Sequence, residues 1–163
     1  MTERLTGGCQ CGAVRFAVDG ELGRAAICHC RMCQKAFGGF FGPLVSAPTV
    51  VWTRGEPKYF QSSELVRRGF CGACGTPLTF EAKGDPIDLA IGAFDNPKAI
   101  PPAIQHDTPR RMPWLQDLAE LPLSAPEEMV HIEAYYASIQ SNQHPDHDTA
   151  TWAPKGGAAK TGK

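Results

Sequence analysis

The stretch Cys28-His29-Cys30-Arg31-Met32-Cys33 packs three thiols into six residues, in the order C-x-C-x-x-C. Such crowding points first to a metal, because thiolates are soft ligands that zinc and similar ions bind tightly. Working outward, two further pairs account for every other cysteine: Cys9-Gln10-Cys11 near the start and Cys71-Gly72-Ala73-Cys74 in the middle. Seven is an odd number, and the opening Met1-Thr2-Glu3-Arg4-Leu5-Thr6-Gly7 has no apolar stretch of the kind that directs export. Disulfides therefore explain the set poorly, and a reducing, cytoplasmic setting is expected.

Seven thiols divide naturally as four plus three. A structural zinc takes four protein ligands, whereas a catalytic zinc keeps three and leaves one position exchangeable. The simplest partition closes one site with Cys9, Cys11, Cys71 and Cys74 and leaves Cys28, Cys30 and Cys33 on a second ion. Spacing alone does not impose it, since any two of the first five thiols could join the Cys71/Cys74 pair. His29 lies between two ligands and is expected to point away from the metal they share, as a packing or hydrogen-bonding residue. His106 is the candidate to close the three-thiol site.

Composition narrows the partners. At 163 residues the chain is long enough for one domain with its own core. Sixteen Lys and Arg against seventeen Asp and Glu give a net charge of −1, so no basic stripe advertises nucleic acid. Arg67-Arg68 and Arg110-Arg111 are isolated pairs. No apolar run approaches the ~18 residues of a membrane span. No feature sets an oligomeric state.

The periodicities read as mainly β. Val14, Phe16 and Val18 alternate with Arg15 in a half-buried strand, and Ala25-Ala26-Ile27 delivers Cys28. Gln34 to Phe37 predicts a helical turn stopped by Gly38-Gly39, its positive end near the thiolates. Phe40 to Val45 reads as a strand that Pro43 should confine to an edge or a bulge. Val50-Val51-Trp52, Lys58-Tyr59-Phe60, Leu65 to Phe70, Pro77 to Phe80 and Ile87 to Phe94 complete the strand pattern. Between Asn96 and Pro126 loops are expected. Ser124-Ala125-Pro126-Glu127 has the form of a capping box before Met129, Ile132, Tyr136 and Ile139 at helical spacing, with a strand as the alternative. Trp114, Phe40 and Phe41 are expected in the core or a pocket wall. From Ser141 the chain is polar and proline-punctuated and is expected to add nothing to the core, with His144 and His147 as a solvated pair.

Three motifs in order carry a resemblance: Gly8-Cys9-Gln10-Cys11-Gly12-Ala13-Val14-Arg15-Phe16, Cys28-His29-Cys30-Arg31-Met32-Cys33-Gln34-Lys35, and Phe70-Cys71-Gly72-Ala73-Cys74-Gly75-Thr76-Pro77-Leu78. Over about residues 5–120 the chain resembles the glutathione-dependent formaldehyde-activating enzyme family, which shares its domain with centromere protein V. The resemblance implies a mainly β, Mss4-like zinc-binding fold with short helical segments and two Zn2+ per chain. It places a structural zinc on Cys9, Cys11, Cys71 and Cys74 and a catalytic zinc on Cys28, Cys30 and Cys33. With the reading of the residues beyond it, this divides the chain into a zinc-binding domain over 1–125, a helical extension over 126–140 and a flexible tail over 141–163. The expected activity is that of a carbon–sulfur lyase acting on adducts of glutathione or a related thiol. Arg31, Lys35, Arg67, Arg68, Arg110 and Arg111 are candidates for the thiol's carboxylates, and His106 or Asp107 for proton handling. A non-catalytic scaffold of the same fold is the alternative. Methionine sulfoxide reduction, a third, needs a cysteine late in the chain, and none follows Cys74.

Overall fold

The computed structural model describes residues 4–153 and is mainly β. Ten strands form two sheets. The smaller is an antiparallel triplet in which β2 (Arg15–Asp19) lies between β1 (Leu5–Gly8) and β5 (Thr49–Arg54). The larger has seven strands. Its first four in spatial order are β10 (Ile104–His106), β3 (Ala26–Cys28), β4 (Gly42–Ala47) and β9 (Ile87–Ala90). β8 (Pro77–Ala82), β7 (Val66–Phe70) and β6 (Lys58–Gln61) follow. All neighbours pair antiparallel except β10 with β3, which run parallel. Phe16, Leu78 and Leu89 are fully buried at the centre of the core. Phe16 meets Trp52 and Phe94 edge to face, with centroids 6.0 and 5.1 Å apart.

Pro43 does not mark an edge. β4 is central, paired to β3 and to β9, but the β9 ladder begins only at Leu44. Pro43 thus has a strand neighbour on one side alone, opposite Ile27, and its missing N–H costs no second-side bond. The helical turn is longer than the sequence suggests. It becomes α1 (Arg31–Phe37), capped at one end by Cys30 and ended at the other by Gly38 at φ 61°. β10 lies where loops were expected, because three residues, one half-buried and two exposed, carry no readable alternation.

The predicted C-terminal helix is present as α2 (Pro126–Ser138). Its start is one residue later than the sequence suggests: the Glu128 carboxylate accepts from the Ala125 N–H at 3.2 Å, and Ser124 is not the cap. None of its residues is fully buried. Phe40 and Trp114 are not core residues either. They stack edge to face at 4.5 Å on the surface, 46% and 43% exposed.

Residues 143–152 overturn the expectation that everything beyond Ser141 stands apart from the packed body. His144 is buried, and its N–H donates to the Gln10 carbonyl at 2.7 Å. The Trp152 indole donates to the Cys11 carbonyl at 2.8 Å, and Asp148 pairs with Arg15 at 2.6 Å. Arg15 is accordingly buried rather than outward-facing, held also by Asp95 through two bonds of 2.8 and 2.6 Å. β2 is covered on both faces. Residues 154–163 of the expected flexible tail lie outside the described residues. No helix of the described residues is long and apolar enough to cross a membrane.

Candidate metal centres

The thiols gather into two groups, Cys9/Cys11/Cys71/Cys74 and Cys28/Cys30/Cys33, the sulfurs of each lying within 4.8 Å of one another. The first group is built from two turns. Cys9 and Cys11 sit in the connection between β1 and β2, and Cys71 and Cys74 in the connection between β7 and β8. One turn leaves the small sheet and the other the large sheet, so the four sulfurs bridge the two. Each turn closes on itself, with the Gly12 N–H donating to Cys9 O at 3.0 Å and the Gly75 N–H to Cys71 O at 2.9 Å. Both turns need the left-handed conformation at the residue after the second cysteine, and glycine supplies it at φ 72° (Gly12) and 79° (Gly75). The Gln10 N–H, donating to Thr76 Oγ1 at 3.0 Å, ties one turn to the other.

Four sulfurs at the ~2.3 Å Zn–S distance of a tetrahedral site stand ~3.8 Å apart. The Cys9–Cys11 and Cys11–Cys71 pairs are separated by 3.6 and 3.8 Å. Backbone N–H groups point at the sulfurs as they do at thiolates: Val14 at Cys9 (3.2 Å) and Ala73 at Cys71 (3.4 Å). Burial pushes the Cys9 thiol up, because a lone thiolate there has no water around it. A divalent cation held by the sulfurs would offset that cost. At the exposed end of the group, burial raises Cys74 but bonds with Thr76 and Cys11 outweigh it, bringing the thiol down to about 6. The donor set and its spacing fit zinc.

The second group comes from one continuous stretch. β3 ends at Cys28, Cys30 caps α1, and Cys33 lies one turn into that helix. The Cys33 N–H donates to Cys30 Sγ at 3.3 Å. Cys33 is buried, and desolvation pushes its thiol up to about 12 although Arg68 lowers it. Cys28 is likewise raised, chiefly by burial. Cys30 differs: burial raises it too, but the Cys33 N–H, the neighbouring thiols and Arg68 bring it below the ordinary value. Three soft donors at this spacing also fit zinc and leave one tetrahedral position without a protein sulfur.

His29 turns away from the sulfurs. Its ring is buried, Nε2 lies 2.9 Å from Gln105 Oε1, and its backbone N–H donates to His106 O at 3.0 Å. Among the described residues His106 does not join the sulfurs as a ligand. It lines a cavity of about 220 Å³ that opens beside Cys28 and Cys33, together with Arg24, Ser46, Phe80 and Asp88. Asp107 is turned out into a 2.7 Å pair with Arg110. On another side, Arg31, Met32, Lys35, Phe60 and Arg68 line a groove of about 460 Å³.

The structure separates the basic candidates. Arg67 pairs with Glu81 at 2.6 Å and lies over the Tyr59 ring. Arg110 is occupied by Asp107. Arg68, the next residue along β7, is buried and donates to Cys33 Sγ at 3.4 Å. Sequence reasoning named Arg68 without ranking it; the alternation of a strand, which sends Arg67 and Arg68 to opposite faces, was the signal available. Ser46 and Asp88 it missed, because polar residues in paired strands have no signature until the strands are side by side.

The family model of the glutathione-dependent formaldehyde-activating enzyme matches residues 4–108, well over half of the chain. The chain belongs to that family. The matched span contains all seven cysteines of this member of the formaldehyde-activating enzyme family, and it ends before α2 and the 143–152 segment. A crystal structure of a Rhodobacter sphaeroides protein is also similar, at 22% identity over 61% of this chain and 98% of that one, with a TM-score of 0.48.

Proposed function

We propose that the protein is a carbon–sulfur lyase that makes or cleaves the bond between a thiol such as glutathione and a small carbonyl compound, with one zinc holding the fold and a second at the reaction centre. The observation that carries this reading is the three-thiol group: three cysteine sulfurs from one stretch, no fourth cysteine joining them among the described residues, and a cavity lined by Cys28 and Cys33, with a groove that carries Arg31 and Lys35 joined to the group through Arg68. Cys28, Cys30 and Cys33 would hold the catalytic zinc, and Cys9, Cys11, Cys71 and Cys74 the structural one. Bound there, zinc supplies Lewis acidity and lowers the pKa of a thiol that reaches it.

The chain's own residues do the rest. Arg31 and Lys35, on α1 and facing the groove, receive the carboxylates of the thiol compound. The 220 Å³ cavity receives the carbonyl and shields it from bulk water, with the polar ends of Ser46 and Asp88 on its wall. In the forward direction the sulfur lone pair forms the C–S bond, the C=O π pair moves to oxygen, and a proton arrives there. His106 lines the same cavity and is the residue we assign to that proton. In reverse it removes the proton, the C=O re-forms and the sulfur leaves with the bonding pair.

A glutathione titration of the cobalt-substituted protein tests the reading. A fourth sulfur should intensify the sulfur-to-cobalt charge-transfer absorption, and S-methylglutathione, which has no free thiol, should not. No response to glutathione would leave a zinc-holding scaffold as the better description.

A further inference from the structure

Arg68 is a buried cation without a carboxylate. It is 7% exposed, and no acidic side chain pairs with it among the described residues. Its Nε donates to Ser62 Oγ at 3.2 Å, one terminal nitrogen donates to Cys33 Sγ at 3.4 Å, and the guanidinium lies over Phe80 at 4.9 Å. The other buried arginine of the described residues, Arg15, has two aspartates. Taking a guanidinium out of water costs several kcal/mol unless a negative charge answers it. A hydroxyl and an aromatic face are too weak to do so. The remaining partner is the thiol group.

The charges balance once the group is loaded. Three thiolates around a divalent ion sum to −1, and Arg68 brings the centre to neutral. A thiolate arriving as a fourth ligand then makes the total −1 instead of −2. We propose that Arg68 is the counter-cation of the three-thiol centre: it favours metal loading there and admits an anionic fourth ligand in preference to a neutral one. It is a positioning residue, acting through the charge of the cluster. The other group shows the alternative arrangement. Its sulfurs receive backbone N–H groups and the Thr76 hydroxyl, and no guanidinium bonds them among the described residues, as suits a site assembled once and never asked to exchange a ligand.

The inference rests on the reading that this centre holds a metal and takes a thiol, and its test separates the two. Full-length protein loaded with cobalt(II) is compared with Arg68→Met, which keeps the bulk over Phe80, and Arg68→Lys, which keeps the charge. The first readout is competition with a chelator. Arg68→Met should lose one of the two metal equivalents about tenfold more readily than wild type, and Arg68→Lys should recover most of that loss. The second readout is ligand selectivity, from charge-transfer spectra with 2-mercaptoethanol, bound as thiolate and lacking a carboxylate, and with imidazole, bound neutral. The thiolate should weaken about tenfold relative to imidazole in Arg68→Met. Loss of packing alone would weaken both ligands alike. Wild-type metal retention and wild-type selectivity in Arg68→Met overturn the proposal, as does an Arg68→Lys variant no better than Arg68→Met. If wild type takes up no thiol at all, the proposed function fails, and the counter-cation role is then decided by chelator competition alone.

Discussion

The two thiol groups use the same ligand chemistry on different scales of the chain. Cys9 and Cys11 are some 60 residues from Cys71 and Cys74, and the turns that carry them belong to different sheets. An ion there closes a long loop and joins two layers of the fold. Cys28, Cys30 and Cys33 span six residues, so an ion there orders only the junction of β3 and α1. Loop-closure entropy makes the first tie valuable to folding and the second nearly neutral. The surroundings differ too: residues 143–152 cover one turn of the four-thiol group, beside a cavity of about 420 Å³ lined by Cys9, Cys74 and His144, while Cys28 and Cys33 line a cavity whose wall carries Arg24, Asp88 and His106.

The largest effect should come from the long-range tie. Structural zinc binding is worth about 10–16 kcal/mol in small domains, comparable with or above the about 5–15 kcal/mol that holds a domain folded. Cys71→Ser, at a fully buried thiol of that group, should therefore abolish cooperative thermal unfolding. Cys30→Ser should unfold cooperatively with its Tm lowered by only a few degrees, bind one metal equivalent fewer, and lose the cobalt response to glutathione. Calorimetry and metal analysis of the two variants together decide the matter. Equal melting of both would make the three-thiol group a second structural tie.

A smaller effect should follow from loosening the cover over one turn. The Trp152 indole donates to Cys11 O and stacks on His144 at 4.8 Å, and Arg54 reaches Gly12 O and Thr149 O at 3.2 and 2.6 Å. A side chain at Gly12 would run into the His144 and Trp152 rings. Trp152→Phe keeps an aromatic ring and removes the donor to a carbonyl in the Cys9–Cys11 turn, which should cost about 1 kcal/mol. Trp152→Ala should cost about 3 kcal/mol. Both should speed metal release from the four-thiol group and leave the three-thiol group unchanged. Denaturant midpoints and stopped-flow chelation read the two. Equal acceleration at both groups would mean that the segment steadies the whole molecule and not this turn.

The sequence was most legible where chemistry is local. Three cysteine motifs and the alternation in β2 each announce themselves within a few residues, and the helix after Pro126 is one of the two readings its spacing allows. What stayed hidden depends on distant partners. β10 is three residues long and exists because β3 offers it an edge. Arg15 looks like the solvent side of an alternating strand, and only Asp95 and Asp148, 80 and 133 residues away, bury it. Arg67 and Arg68 are neighbours of identical chemistry, and their different surroundings follow from which face of β7 meets the thiols. His144 and His147 read as a pair in a polar tail, yet the first is buried and the second is not. No periodicity encodes that difference, because it comes from the first turn having a carbonyl at Gln10 that the His144 N–H can reach.

His144 supplies the finest separation of the two regions, through pH. Its Nδ1–H donates to Pro145 O at 2.7 Å, and Nε2 accepts from Arg54 at 3.3 Å and from Thr149 Oγ1 at 3.0 Å. The ring is neutral in this arrangement. Burial lowers its pKa, the Pro145 bond partly opposes this, and the cations Arg15 and Arg54 lower it further. The folded value thus lies below the ordinary 6.5, and the unfolded chain binds the proton more readily. Stability from this residue is complete above pH 6.5 and is lost as the pH falls through the depressed folded value. Wild type should therefore lose stability between pH 7 and 5 by more than His144→Gln does, and metal release from the four-thiol group should accelerate over the same interval. His144→Gln removes the titrating group, so its own pH slope should be shallower even if its stability at pH 7 is lower. Identical slopes in the two proteins would assign the acid sensitivity to the thiol ligands themselves and leave the covering segment without a part in it.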